Sequence, residues 1–355
     1  MQLKFDKQHD VGNVMQHKQP QLAPDKLINA NGQPVFGIFD GIVDSLNVNQ
    51  FAYSTVMDKP ASAMAKHFDF KQFQFVSIIT PHYIIALAIA DIRYVANGFC
   101  YLYDIKTNKL TQTQWLTPFG FGCQLSDSPK HGRAEIGRKH KGIVIDIVDG
   151  QWQVEINLAE IQAHLRIQPT PLSLPISLCT PTGYNGWTYT QKHNGLAVTG
   201  QLTIHHEPQP LQYALAGYDF SAGFMRRETS WRWASINAQT DDGVIGLNLA
   251  AGVNETGQTE NVMWINGERH LLGGAQFDFN RHSQQDVWHI TTNDGNVDLH
   301  FRPLNQRSEK LNLIWLKNNF RQYIGYFSGV ICDNNGNQYK LTNQLGLTED
   351  HFAKW

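Results

Sequence analysis

The chain has 355 residues, of which 41% are hydrophobic and 17% charged, and its net charge of −2 corresponds to a pI near 6.7. Such a balance, with no long run of like charges, argues against nucleic acid or an anionic membrane surface as a partner. The length predicts two domains or one large β architecture.

Cysteine usage and hydropathy indicate the compartment. The four cysteines are widely spaced and form no CxxC pair, which predicts neither a zinc ribbon nor a disulfide framework. The N-terminal segment lacks the apolar run of a secretory signal, and the longest apolar run, Tyr83 to Ala90, is too short to cross a bilayer. We therefore expect a soluble, cytoplasmic protein without stable membrane insertion.

In chain order, the sequence begins with a polar segment and continues with strands. Residues 1–30 are rich in Gln and Lys and have no periodicity, which predicts a loosely attached arm. Strand signals follow, among them a hairpin in which Gly142–Val148 and Gln151–Ile156 flank an Asp-Gly turn. A second hairpin is predicted across His193–Gly195.

A break rich in His and Pro, His205–Pro210, separates two halves, so we expect one unit at residues 31–206 and another at residues 207–355. Short strands then recur with Asp-Gly and Asn-Gly between them. Only Leu158–Ile167 and Gln344–Trp355 allow short helices. Even spacing with turn dipeptides predicts an all-β fold of antiparallel barrels or sandwiches.

The segment Tyr218–Ile236 is the most informative part of the chain because, as a strand, neither of its faces is purely apolar. Alternation gives one face cations and a carboxylate, and the other face aromatic residues. The first face carries Arg226, Glu228, Ser230 and Arg232, and the second carries Met225, Arg227, Thr229, Trp231 and Trp233. This arrangement is what a polar-lined ligand cavity needs, although a structural ion-pair network with packed tryptophans explains it as well.

The segment Gly246–Glu260 is a second candidate. On a strand, Asn248 and Asn254 share a face with two small residues between them, which leaves room for a ligand close to the sheet. A surface strand with a glycine bulge is the alternative. Glu255 and Glu260 fall near the turn that follows, and either glutamate is an acid/base candidate if it is desolvated.

Known catalytic signatures are absent: the sequence has no GxSxG, P-loop, HExxH or complete GxGxxG motif. The one histidine cluster, His205-His206-Glu207, alternates in direction along a strand and chelates a single ion poorly. No cofactor and no metal site is therefore predicted.

Several segments together resemble the DUF2804 family. They are Met225–Ser235 (MRRETSWRWAS), Val244–Leu249, Ala251–Gly257, Glu260-Asn261, Trp264–Gly267, Phe277–Phe279 and the chain end from Tyr323. The likeness spans nearly the whole chain. It implies two lipocalin-like antiparallel β-barrel halves, by analogy with the AttH and carotenoid-hydratase group. No hydratase motif carries over residue by residue, so the resemblance implies a fold and not an activity.

Our first functional hypothesis is a β-barrel protein that encloses a small, mainly apolar ligand with a polar end and isomerises, cyclises or hydrates it. Tryptophans would stabilise a cation, Arg227 would anchor the polar end, and Glu228 or Glu255 would be the catalytic acid. The predicted ligand-binding residues are Arg226, Arg227, Trp231, Trp233, Asn248, Asn254 and Trp264.

Two placements follow from this hypothesis. A glutamate of this half, Glu228 before Glu255, is expected to be partly buried beside an arginine. Trp231 is expected to line a concave pocket with at least one of Arg226, Arg227 and Glu228. The rival hypothesis is a non-catalytic carrier or chaperone for a lipid or fatty acyl chain, or a module that binds another protein between the barrels. The partner in the first two cases is a small hydrophobic molecule or lipid.

Overall fold

The computed structural model describes residues 20–138, 141–313 and 316–355, and most of this part of the chain is β-strand. Its helices are a 3₁₀ turn at Val48–Gln50 and the helix α1 at Ala63–Asp69. Neither helix has the length and hydropathy that a membrane span requires. The remaining elements belong to two sheets.

Fifteen of the described strands form the first sheet, in which every pairing except β1 with β2 is antiparallel. They are β1 (Gln21–Leu22), β2 (Gly37–Asp40), β3 (Lys71–Ile79), β4 (Tyr83–Asp91), β5 (Val95–Asp104), β6 (Lys109–Pro118), β7 (Cys123–Leu125), β8 (Gly132–Arg138), β9 (Lys141–Val148), β10 (Gln151–Asn157), β11 (Ile161–Gln168), β12 (Ile176–Thr182), β13 (Gly186–Ile204), β14 (Glu207–Pro208) and β15 (Leu215–Gly223). Its main order is β6-β5-β4-β3-β15-β13-β11-β10-β9-β8-β7.

The other nine described strands form the second sheet, in the order β19-β18-β17-β16-β24-β23-β22-β21-β20. They are β16 (Glu228–Thr240), β17 (Gly243–Ala251), β18 (Val262–Ile265), β19 (Glu268–Leu271), β20 (Ala275–Asp278), β21 (Trp288–Thr292), β22 (Val297–Asn312), β23 (Lys317–Cys332) and β24 (Gln338–Lys354). Each sheet curls into a near-closed barrel half, so the predicted all-β pair of lipocalin-like antiparallel barrels is confirmed.

Side chains of the two sheets form a separate core in each half, a small shared cluster and a larger shared core. Because successive strand residues point to opposite faces, Val76 of β3 packs into the core of the first barrel while its neighbour Phe75 packs into the shared core between the sheets. Trp233 of β16 and Phe320 of β23 enter the shared core from the second sheet. This core surrounds the cavity described below.

The predicted hairpin from β9 to β10 is confirmed, with Val148 paired to Gln151 across Asp149-Gly150. Both turn residues have positive φ, 51° and 76°, as a two-residue hairpin turn of this type requires. The hairpin predicted across His193–Gly195 is wrong. There β13 runs on as one strand of 19 residues, with a register shift between His193 and Leu196.

The residues at that register shift join the two sheets. Asn194 Nδ2 donates to Ser235 Oγ at 2.6 Å, and the Gly195 N–H donates to Asn237 Oδ1 at 2.7 Å. Gly195 has φ of +73°, which favours glycine, and a Cβ on Gly246 would lie only 2.6 Å from the Asn194 backbone. Asn194-Gly195 therefore forms an irregularity within β13 that contacts the second sheet, and it does not form a turn.

Other predictions need correction. Residues 1–19 of the predicted arm lie outside the described residues, but Leu27 and Ile28 are fully buried and so do not belong to a loose arm. The pairing changes from the first sheet to the second between Gly223 and Glu228, beyond the predicted boundary at residues 206 and 207, because β15 pairs with β3 and β13. That the halves are two separate domains stays a prediction.

The two segments that allowed short helices are also strands. Residues 161–168 form β11, and the chain end forms β24, a strand of 17 residues that pairs with both β16 and β23. The long partner strands on both sides explain the outcome, since ladder hydrogen bonds outweigh a weak local preference.

Candidate functional site

A cavity of about 250 Å³ lies between the two sheets. The first sheet contributes Phe75 and Phe99 to its walls, and the second contributes Trp231, Trp233 and Phe320. Phe75 and Trp233 meet edge to face with their ring centroids 5.5 Å apart. The cavity is thus an aromatic space formed by both halves of the chain.

Three charged residues form one polar part of the cavity lining, and we call Lys192, Asp219 and Glu260 the Lys192 cluster. Lys192 and Asp219 are register partners on β13 and β15, and Glu260 lies just before β18. The Lys192 ammonium donates to Glu260 Oε1 at 2.7 Å and lies 3.1 Å from Asp219 Oδ2. Ser221 donates to Asp219 Oδ1 at 2.8 Å. Two carboxylates therefore share one ammonium.

Burial and mutual attraction act in opposite directions on this cluster. Burial alone lowers the pKa of Lys192, but the neighbouring Asp219 and Glu260 outweigh it and raise that pKa above its ordinary value. Burial also raises the pKa of Asp219, against the opposing effect of Lys192 and with the help of Glu260. Lys192 is therefore charged at neutral pH, and Asp219 is a weaker acid than in water.

Glu260 has an oxygen that the protein does not satisfy. The residue is 1% exposed, and its buried Oε2 has no hydrogen-bond partner within the described ranges. Asn248 holds the residue in place, since its Nδ2 donates to the Glu260 carbonyl at 2.8 Å while its Oδ1 accepts from Trp233 Nε1 at 2.7 Å. One amide thus connects the carboxylate to the aromatic wall.

A second polar group lines the same cavity, and we call Trp231, Gln322, Glu349 and His351 the Glu349 cluster. Glu349 Oε1 accepts from Trp231 Nε1 at 2.8 Å, and Oε2 accepts from Gln322 Nε2 at 3.2 Å. His351 packs on Trp231 with the ring centroids 4.1 Å apart, and its Nε2 lies 2.6 Å from Asn318 Oδ1. Unlike Glu260, Glu349 has a donor for each oxygen.

Some predicted site residues reach the cavity. Trp231, Trp233 and Arg226 line it, which is the predicted placement of Trp231 with at least one of the charged residues. Arg226 Nε lies 2.7 Å from Glu255, whose Oε1 also accepts from a backbone N–H. Arg227 lines a second space of about 460 Å³, whose lining shares several residues with that of the cavity.

Other predicted site residues do not line the cavity. Trp264 packs on His193, with ring centroids 5.1 Å apart, and donates to a backbone carbonyl at 2.8 Å. Asn254 accepts from Thr180 at 3.0 Å. Asn248 lies behind the wall and acts on the cavity only through its bonds to Trp233 and Glu260.

The placement predicted for Glu228 is wrong. Its side chain is 55% exposed and lies 3.0 Å from the ammonium of Lys354, so it is neither partly buried nor beside an arginine. Glu228 is the first residue of β16, and the start of this strand is exposed. Trp231 and Trp233 lie further along the strand, where it becomes buried. Glu255, the second choice for that placement, is 27% exposed and lies 2.7 Å from Arg226 Nε, so it is the partly buried glutamate beside an arginine.

The sequence did not predict the phenylalanines of the cavity wall, nor five polar residues of the site: Lys192, Asp219, Gln322, Glu349 and His351. Asp219 lies inside the Tyr218–Ile236 segment, and Lys192 is the only charged residue in the run from Trp187 to Lys192, a signal of a buried ion pair. Glu349 and His351 were missed because a helix was allowed for the chain end.

One group of side chains could hold a metal ion. His289, Asp298 and His300 lie on the paired strands β21 and β22, and their ligand atoms are all within 4.8 Å of one another. All three are exposed, and none of them lines the cavity. The arrangement is separate from the aromatic site.

Comparison with known proteins extends these observations. A family model described as "Domain of unknown function (DUF2804)" matches residues 18–355. No curated protein sequence matches the chain. The solved structure of CghA with Sch210972 is similar with a TM-score of 0.55 and 9% identity, over 93% of this chain and 97% of that one.

Two further solved structures are similar at lower TM-scores. Kievitone hydratase from Nectria haematococca has a TM-score of 0.48 and 12% identity, over 80% of this chain and 88% of that one. A putative AttH from Nitrosomonas europaea has a TM-score of 0.47 and 12% identity, over 80% and 92%. At such identities the likeness concerns the fold alone.

Proposed function

The chain belongs to the DUF2804 family, and from this premise we propose that it binds a small, mainly apolar ligand with a polar end between its sheets and isomerises, cyclises or hydrates that ligand. The observation that carries the proposal is the cavity itself, an aromatic space in which the buried Glu260 keeps one oxygen without a partner. CghA supports it as a protein of similar fold whose structure contains a small molecule, Sch210972.

We assign the acid/base role to Glu260 in preference to Glu228 and Glu255. Glu228 is exposed beside Lys354, and Glu255 is held by Arg226, whereas Glu260 is desolvated and lines the cavity. A carboxylate in this position takes a proton from one ligand atom and returns it to another, so that isomerisation or cyclisation needs no co-reactant. Hydration would add one water molecule.

The other residues of the cavity would serve this proton transfer. The Lys192 ammonium, 2.7 Å from Glu260, offsets the negative charge that develops on the ligand when a proton leaves it. The faces of Trp231 and Trp233 stabilise positive charge when the ligand is protonated. Asp219, 3.1 Å from the Lys192 ammonium, holds that ammonium in position beside Glu260.

The proposal is tested with whatever the protein retains during gentle purification. Ala90 lines the cavity, so Ala90→Phe is expected to displace a retained small molecule, whereas Ala63→Phe at the exposed start of α1 is expected to leave it bound. Extracts of both variants and of the wild type are compared by mass spectrometry. Equal retention by all three proteins would contradict binding in this cavity.

The same extract distinguishes an enzyme from a non-catalytic carrier. The extracted molecule is incubated with wild-type protein and with Glu260→Gln, and the products are separated by chromatography. We expect the wild type to convert it to an isomer of equal mass or to a product one water heavier, and Glu260→Gln to bind it without conversion. A molecule that the wild type binds and releases unchanged would support the non-catalytic carrier.

A further inference from the structure

The buried Glu260 oxygen restricts the chemistry of the ligand. When ionised, a carboxylate only accepts hydrogen bonds, and Oε1 already accepts from Lys192 at 2.7 Å. Oε2 is buried and has no donor among the residues that the structure describes. Leaving such an acceptor unsatisfied costs free energy, so a ligand that supplies a donor is favoured over one that does not.

Most polar groups around the Lys192 cluster are engaged with one another, although the Lys192 ammonium uses only two of its three N–H donors, on Glu260 and Asp219. Asp219 accepts from Ser221, and Ser221 Oγ is also 3.0 Å from the Thr190 hydroxyl. The hydroxyls of Thr182 and Thr188, which also line the cavity, bond to each other at 2.7 Å. The open positions are therefore one acceptor, Glu260 Oε2, and one N–H of Lys192, and a hydroxyl both donates and accepts.

Charge at this part of the cavity also disfavours an anionic ligand group. The cluster contains two carboxylates for one ammonium, and three of the other five Lys and Arg residues of the lining, all except Lys71 and Lys317, form ion pairs with carboxylates of their own. These pairs are Arg226 with Glu255 at 2.7 Å, Arg307 with Glu309 at 2.8 Å and Lys354 with Glu228 at 3.0 Å. A ligand carboxylate at the Lys192 cluster would face Asp219 and Glu260.

We infer that the ligand carries an uncharged hydroxyl, of the alcohol, phenol or enol type, which donates to Glu260 Oε2, while its apolar body lies against Trp233 and Phe75. The inference rests on the proposed function and narrows its substrate class. It separates the Lys192 cluster from a site built for the carboxylate of a free fatty acid.

Three probes of one ring size test the inference on the full-length protein: 2-naphthol, 2-methylnaphthalene and 2-naphthoate. They place a hydroxyl, a methyl group and a carboxylate at the same position of an apolar body that fits a small cavity. We expect 2-naphthol to bind about 10- to 100-fold more tightly than 2-methylnaphthalene, the range of a hydrogen bond to a charged group. The 2-naphthoate probe is expected to bind most weakly.

Variants test whether the preference for 2-naphthol over 2-methylnaphthalene depends on Glu260 Oε2. Glu260→Gln keeps the shape and removes the open carboxylate oxygen, so the preference for 2-naphthol over 2-methylnaphthalene is expected to fall about tenfold. Glu228→Gln makes the same chemical change at an exposed position outside the cavity lining, and the preference is expected to persist.

Fluorescence of 2-naphthol bound to the wild type is a second measurement, and it does not require any variant to fold. Excited 2-naphthol transfers its proton to an adjacent acceptor and then emits at longer wavelength, so the bound probe is expected to show that emission. Emission from neutral naphthol only, or equal binding of 2-naphthol and 2-methylnaphthalene, would overturn the inference and leave an apolar ligand cavity standing. Tightest binding of 2-naphthoate would overturn it in favour of an anionic ligand. Failure of all three probes to bind would overturn the proposed function as well.

Discussion

Charged side chains are buried in two regions of the molecule, the cavity between the sheets and the opposite face of the second sheet. In the cavity, Lys192 is the single ammonium between two carboxylates. On the opposite face, Asp350 is a single carboxylate among Arg232, Arg281 and Arg321. The cavity region therefore has two carboxylates for one cation, whereas the opposite face has three cations for one carboxylate.

The two regions differ in whether each carboxylate oxygen has a hydrogen-bond donor or cation beside it. Asp350 Oδ2 accepts from Arg281 Nε at 2.7 Å and from Arg321 at 3.1 Å, and Oδ1 accepts from Arg281 at 2.9 Å and lies 3.4 Å from Arg232. Both oxygens are thus occupied, whereas Glu260 Oε2 is open. A charged network that is complete stabilises the fold, and one that is incomplete beside a cavity is suited to a ligand.

This contrast also resolves the two interpretations of Tyr218–Ile236. Arg232 belongs to the complete network with Asp350, so the structural interpretation applies to that face of β16. Trp231 and Trp233 line the cavity on the other face, as the ligand interpretation requires. One side of the strand therefore carries a complete ion-pair network, and the other side lines the cavity.

Removing the ammonium of the cavity cluster should have the largest effect on stability. Lys192→Met leaves two buried carboxylates without a counter-charge, and we expect a loss of about 3–5 kcal/mol in the free energy of unfolding near neutral pH. Lys340→Met, at an exposed position of β24, is the control. Denaturant unfolding measures both.

The same variant has a predicted pH dependence. The pKa of Asp219 is already raised by burial, and removing Lys192 raises it further. A group with a raised pKa in the folded state contributes stability at low pH and loses it as the pH rises. Lys192→Met should therefore recover part of its stability, relative to wild type, when the pH is lowered from neutral toward that pKa. A deficit that is independent of pH would contradict this account of the cluster.

Breaking the complete network should cost stability without altering the cavity. Asp350→Asn removes the charge that three arginines share, and because those arginines are partly exposed we expect the lower end of the range for a broken buried pair, about 3 kcal/mol. Binding of 2-naphthol is expected to remain unchanged. If Asp350→Asn weakened that binding as strongly as Glu260→Gln, the distinction between the two regions would fail.

His193 should make the stability of the fold depend on pH. Burial, together with the nearby Arg269, lowers the pKa of His193 from 6.5 to about 3. Because the unfolded chain takes up this proton first, the stabilising contribution is present above pH 6.5 and is lost as the pH falls toward 3, by up to about 1.4 kcal/mol per pH unit. His193→Gln should reduce that slope in unfolding curves measured across this range. An unchanged slope would mean that other groups control acid unfolding.

The smallest effect is expected at the surface pair. Glu228 and Lys354 are both partly exposed, so Glu228→Gln should change the free energy of unfolding by no more than about 0.5 kcal/mol. Ligand conversion should also be unaffected, since Glu228 does not line the cavity. A loss of turnover in Glu228→Gln would return the catalytic role to this residue and contradict its assignment to Glu260.

Local patterns predicted part of the candidate site. Alternation along β16 correctly put Trp231 and Trp233 on one face, and the Asp-Gly turn correctly predicted the β9–β10 hairpin. Glu260 was recognised as an acid/base candidate on the condition that it is desolvated, and the structure meets that condition. The sequence offered no means of ranking it above Glu255.

Partners from distant parts of the chain could not be predicted in this way. Lys192 and Glu260 are 68 residues apart, and Trp231 and Glu349 are 118 residues apart. Their contacts depend on how the two curled sheets meet, which no single strand encodes. The Asn194-Gly195 pair shows the same limit, because a dipeptide typical of a turn instead joins the sheets.

The sequence by itself determined the all-β class, the opposite faces of each strand and the absence of familiar catalytic motifs, because these depend on neighbours within a few residues. Only the tertiary structure decided which faces meet, which charges are fully paired and which are left open. Burial of a carboxylate is a property of everything that packs around it, and for Glu260 that includes Lys192 and Asp219 from the first sheet and Asn248 from the second. The open oxygen exists because those elements together exclude water and do not supply a second donor.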